Sequence, residues 1–178
     1  FTRILGGNAK LEAKERGVSY YDVLDELIGM VPIEKAKVFF SPFVAQPSIH
    51  VNAKGNFFNI ELSTSYADIC YAVAEGVAYI HKYHVDFLKD AGLPLKEIRL
   101  TGGTSKSKVW NQIFANVLQT PIIGVDCEET GALGAAIVAG IGAGVYKSYD
   151  DAFEHAVRVK EPVMPDESTY PIYERRYK

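Results

Sequence analysis

Several things that would settle a class at once are scarce in this sequence. Cysteine occurs only twice in 178 residues, as Cys70 and Cys127. The two are far apart in the chain, one inside a helical pattern and one at the end of a strand pattern, so neither a disulfide framework nor a metal pair is indicated. Reduced thiols of a cytoplasmic protein are the expectation. No apolar run approaches the roughly 20 residues of a membrane-spanning helix, which predicts a water-soluble chain with no membrane partner. The 19 basic and 22 acidic residues give a net charge of -3. They are scattered along the chain, which leaves no electrostatic footprint for nucleic acid. Internal repeats and low-complexity runs are absent, and so is a basic-plus-apolar leader. The first residue is Phe1, and a helical pattern beginning near Pro171 is cut off without a stop signal. A piece of a longer polypeptide is therefore expected.

What is there fits one domain with a well-buried core. Residues 19–30 place Val23, Leu24, Leu27 and Ile28 on one helical face behind a Ser19 cap. The run 37–43 reads as a short strand ending at Pro42, 42–56 as a loop and 56–62 as a second strand. The longest helix is predicted from about 65 to 91, with Ile69, Val73, Val77, Ile80, His84 and Phe87 along its apolar stripe and Gly92 past its end. Its small residues Ala72 and Gly76 would let another element come close. Strand 97–101, helix 105–119 and strand 121–126 follow, then a helix over 130–140 ended by glycines, a short helix over 148–157 capped by Ser148, and the terminal helix. Strands alternating with helices argue for an α/β layer structure.

The chemistry-bearing patterns mostly fail. From Gly102, a phosphate-binding P-loop would need a glycine where Ser107 stands and a hydroxyl where Val109 stands. The glycines 140, 142 and 144 follow a helix, and Val145 breaks the dinucleotide fingerprint, so an oxidoreductase is disfavoured. His81 and His84 share a helical face but lack further metal ligands. Asp126, Glu128 and Glu129 read most simply as acids at a helix N-terminus. The turn Thr101-Gly102-Gly103-Thr104 remains. Two glycines after a strand permit positive φ and close approach of a ligand, and the following helix offers N–H donors. Glycine needed only for a tight turn explains the same residues, and spacing alone does not choose.

The order of motifs does choose. The stretch LTGGTSKSKVWNQIFANVLQTPI, followed by EETGALGAAIVAGIGAGVY, resembles the C-terminal half of the FGGY family of carbohydrate kinases, which includes xylulokinase, gluconokinase and glycerol kinase. The family's Gly-Gly, Ser, Trp and Gln fall on Gly102, Gly103, Ser107, Trp110 and Gln112, and its glutamate and small-residue helix on Glu129 and Ala132 to Ala136. Upstream, GNFFNI and DICYAVAEG resemble a second family signature, with Asn59 in place of its usual glycine and Ala74 in place of a large apolar residue.

The resemblance implies a ribonuclease H-like α/β fold of the actin, sugar-kinase and heat-shock ATPase type, a mixed sheet flanked by helices. It implies that residues 1–178 are the C-terminal nucleotide-binding domain of a two-domain kinase whose N-terminal catalytic domain lies outside the chain. ATP and Mg2+ are the implied cofactors, and the protein's own N-terminal domain and a ketopentose or related polyol the implied partners. A homodimer is compatible with it. On this reading Thr101, Gly102, Gly103, Thr104 and Ser107 form the nucleotide-binding set. Ser107 would face the base, Ala132 to Ala136 would close a narrow slot, and Lys106 and Lys108 would be solvated. No catalytic residue or metal ligand is expected within the chain. The competing class is a non-catalytic, nucleotide-dependent regulatory member of the same superfold. The loop after the 37–43 strand lacks the Gly-Glu-Arg-x-Pro element usual in xylulokinases, which is closer to the L-xylulokinase-like branch.

Overall fold

The computed structural model describes residues 6–44, 51–127 and 129–178. Glu128 and part of the loop expected over 42–56 lie outside the described residues. The first helix among the described residues is α1, Gly7–Arg16, which the sequence reading did not anticipate because it buries only the small side chains Ala9 and Ala13. Helix α2, Tyr20–Gly29, starts at Ser19 in a capping box with Asp22 and turns Val23, Leu24 and Ile28 inward. A bidentate contact from Arg16 to Glu26, at 2.7 and 2.6 Å, ties α1 to α2.

Strands β1, Phe39–Ser41, and β2, Asn56–Phe58, pair antiparallel with Phe40 opposite Phe57. The expected strand over 56–62 is shorter than predicted because Asn59 takes φ 62°, a left-handed conformation that breaks the pleat. Asparagine tolerates this region better than other non-glycine residues. Its side chain also donates to the Lys37 carbonyl at 3.1 Å.

Helix α3, Tyr66–Asp90, is capped by Ser65 and crosses the middle of the molecule. At Gly76 an added Cβ would lie 2.2 Å from the Phe40 carbonyl oxygen, so glycine is what lets β1 rest on α3. The predicted apolar stripe is displaced. Val73 is buried, but His84 and Phe87 are exposed, and the buried residues include Tyr71, Ala74, Glu75, Ala78, Lys82 and Val85. The cause is packing on more than one side: α3 lies against α2, β1 and helix α4, Lys108–Leu118, so no single stripe describes its interior face.

Strand β3, Ile98–Leu100, pairs in parallel with β4, Ile122–Gly124, and α4 is the crossover between them. Bridges Ile122↔Val163 and Val125↔Val159 run antiparallel on the far side of β4, which makes this small sheet mixed. Leu24, Ile28, Cys70, Tyr71, Phe114, Leu118 and Ile122 share one core with Tyr173 of helix α7, Tyr170–Tyr177. Helices α5, Thr130–Gly142, and α6, Tyr149–Ala156, pack on each other at one side. No helix among the described residues is long and apolar enough to cross a membrane.

Candidate functional site

The turn after β3 is built from unlike pieces. Gly102 has φ 84°, and a Cβ added there meets nothing within 4 Å, so backbone conformation alone demands glycine. Gly103 is not in the left-handed region. There an added Cβ would lie 2.2 Å from the Tyr21 hydroxyl of α2, so this glycine serves close approach. The expectation of positive φ thus holds for Gly102 only. Residues Gly103–Lys106 form a 3-10 turn, which takes in the backbone of Thr104. Ser105 closes it by donating from N–H and hydroxyl to the Gly102 carbonyl at 3.2 and 2.7 Å. Asn111 supports it from α4 by donating to the Ser105 carbonyl at 3.1 Å. Thr101, Gly102 and Gly103 are exposed, and among the described residues nothing accepts from the N–H of Gly102 or Gly103.

The start of α4 departs from expectation. Helix N-termini attract anions because their first N–H groups lack partners, but here the protein supplies the anion. The Asp25 carboxylate of α2 accepts from the N–H of Lys108 at 2.8 Å and of Val109 at 3.4 Å, and from the Ser107 hydroxyl. Ser107 Oγ in turn accepts from Trp110 N–H at 3.0 Å as the N-cap. Ser107 is only 1% exposed. It therefore stands before the helix and faces α2, and the reading in which it faces a base is corrected.

An open recess of about 290 Å3 adjoins the turn at the C-terminal ends of β3 and β4, lined by Ser105, Lys106, Val125, Asp126, Cys127 and Lys160. The stem of Lys160 lies across Gly124, where an added Cβ would approach it to 3.3 Å. Helix α5 contributes no lining residue to this recess, so Ala132 to Ala136 do not form its wall. A second recess of about 430 Å3 continues past Lys108 and Gln112 to Val163. Lining it is Asn111, whose buried Oδ1 has no hydrogen-bond partner among the described residues.

Other candidates resolve into structure. The His81 Nδ1–H donates to the Val77 carbonyl at 2.8 Å, and the ring sits edge-on to Phe114. Both described cysteines are unpaired, and burial pushes the Cys70 thiol up to about 11, which makes it a poor nucleophile. Among the described residues no three His, Cys, Asp or Glu side chains converge as a cation site.

Residues 28–143 match the model of the C-terminal domain of the FGGY family of carbohydrate kinases. The chain belongs to that family. Among curated FGGY relatives, it is 28% identical to the L-xylulose/3-keto-L-gulonate kinase of Escherichia coli over 96% of its own length and 34% of the relative's. Among solved structures, the xylulose kinase from Rhodospirillum rubrum superposes with a TM-score of 0.76 at 32% identity, covering 97% of this chain and 35% of that one. Plasmodium falciparum glycerol kinase with ADP, at 20% identity and a TM-score of 0.72, covers 97% of this chain and 35% of that one and shares the fold. The chain spans about a third of the length of these relatives. The fold is the actin and ATPase-like α/β fold of the sugar kinases.

Tyr21, Asp25, Asn111 and Lys160 were not found from sequence. Tyr21 and Asp25 lie one turn apart and half-buried on the flank of the α2 apolar stripe, a visible pair whose partners, 82 residues on, were not visible.

Proposed function

We propose that the intact protein transfers the γ-phosphoryl group of ATP to a hydroxyl of a ketopentose or related polyol, and that residues 1–178 are its C-terminal, nucleotide-holding domain. The observation that carries this is the turn after β3, a positive-φ glycine and exposed backbone donors beside an open recess, inside the family-matched region. Ligands of open α/β sheets gather at the C-terminal ends of parallel strands, which is where the recess opens. Thr101, Gly102, Gly103 and Thr104 would present backbone to the nucleotide, Lys106 would border it, and Ser107 would hold the turn from behind. Phosphoryl transfer depends on positioning and charge neutralisation. This domain's part is positioning, and the catalytic base and magnesium contacts fall to the N-terminal domain.

A cytoplasmic enzyme is the setting that reduced thiols and ATP favour, and homodimerisation is compatible with the reading. An L-xylulose-type ketose is the favoured acceptor, from the missing Gly-Glu-Arg-x-Pro element and the Escherichia coli relative. The test is ATP consumption by the full-length protein with magnesium and a panel of ketoses, aldoses and polyols. Turnover on at least one sugar is expected. Nucleotide binding without turnover on any would overturn the kinase reading in favour of a regulatory one.

A further inference from the structure

We infer that α2 is a latch for the nucleotide-holding turn, with Asp25 and Tyr21 as positioning residues for ATP; this rests on the reading of the turn given above. Each of the two residues meets a different part of the same loop. Asp25 ties down its far end, binding Ser107, Lys108 and Val109 at the start of α4. Tyr21, one turn earlier on the same helix, sets its hydroxyl against Gly103, closely enough that an added Cβ would have to push the phenol aside. The stretch held at these two points follows directly on the exposed Thr101 and Gly102, which with Gly103 would touch the nucleotide.

The latch works because α2 is itself fixed. Leu24 and Ile28 are 3% and 2% exposed in the main core, the Ser19–Asp22 box closes the helix's first turn, and Arg16 clasps Glu26 near its end. A surface turn is thereby referenced to the interior through one carboxylate and one phenol.

The arrangement also assigns polarity to the site. With a carboxylate already at the start of α4, the helix end that ordinarily attracts phosphate is satisfied and its field offset. ATP phosphates are left the exposed donors of Gly102 and Gly103.

The experiment is steady-state kinetics of the full-length kinase and five variants, one of them a double substitution. Asp25→Ala should raise KM for ATP about tenfold, the scale of a lost charge-assisted hydrogen bond, with KM for the sugar unchanged and kcat little altered. Asp25→Asn, which keeps an acceptor and protects against simple unfolding, should recover most of the loss. Gly103→Ala should also raise KM for ATP, and adding Tyr21→Phe should recover part of it by removing the hydroxyl that the new Cβ meets. Equal changes in both KM values, or a Gly103→Ala defect that Tyr21→Phe worsens, would overturn the latch. Gly102→Val separates this from the parent reading. If it raises KM for ATP while Asp25→Ala does not, the latch fails alone; if it too leaves KM for ATP unchanged, the turn is not the nucleotide site and both fall.

Discussion

Helices α3 and α5 reverse the usual link between composition and burial. Helix α5, TGALGAAIVAGIG, has no charged residue, yet Ile137 is its one buried side chain and Val138 is 56% exposed. Helix α3 carries acids, lysines and histidines, and buries Glu75 to 1% and Lys82 to 7% exposure. The difference lies in partners. Glu75 receives Arg176 of α7 through both carboxylate oxygens at 2.6 Å and the Tyr79 hydroxyl at 3.0 Å, while Lys82 meets Asp86 at 3.3 Å and Glu174 at 3.2 Å. A charge can be interior where its hydrogen bonds are complete. An apolar helix can be exterior where the described residues place nothing over it. Hydrophobicity reports what a segment can be packed against, and the neighbours decide whether it is.

Breaking the α3 side of this comparison should have the largest effect. Glu75→Ala would leave the Arg176 guanidinium in place with its carboxylate gone, and removing one partner of a buried pair costs about 3–5 kcal/mol. Burial would then disfavour the charge on Arg176, and Tyr71, Tyr79 and Tyr173, packed around the pair, cannot replace an anion at neutral pH. Urea unfolding of the variant should show a correspondingly lower midpoint. A loss under about 1 kcal/mol, the range of exposed pairs, would mean that water reaches Glu75 and that the contrast with α5 is overstated.

The contrast can be sharpened with one substitution in each region. Leu118 of α4 is 1% exposed in the main core, so Leu118→Ala should cost about 2–5 kcal/mol. Val138→Ser in α5 should change the stability of this chain by less than about 0.5 kcal/mol, as exposed positions do. Repeating Val138→Ser in the full-length protein makes the comparison informative. A cost there that is absent in the shorter chain would identify α5 as a surface that the rest of the protein covers.

Legibility from sequence followed the range of the interactions. Ser19, Ser65 and Ser148 were readable as helix caps or starts because a cap is settled within three residues. The kink at Asn59 was half readable: its place in the signature that the sequence resembles marked the spot, and its φ of 62° gives the reason. The α3 interior was misread because its direction depends on α2, β1 and α4 arriving from different sides. The turn at Gly102 and Gly103 was singled out through its glycines and family order, but its support was not, since Asp25 and Ser107 meet across 82 residues. The same blindness made the start of α4 look like an open anion site.

That last point bears on the smallest effect expected, the binding of ATP by this chain alone. The helix end that would add phosphate affinity is already satisfied by Asp25. The turn's own donors lie on an exposed surface beside an open recess, so a bound nucleotide would keep much of its hydration. Contacts on one side offset little of the lost translational and side-chain freedom. Calorimetric titration of ATP and magnesium into the purified chain should therefore give an affinity no better than roughly millimolar, with no sugar-dependent turnover. Micromolar binding would mean that the turn and recess hold ATP without a second wall, and would move the weight of recognition from the N-terminal domain onto Gly102, Gly103 and their neighbours.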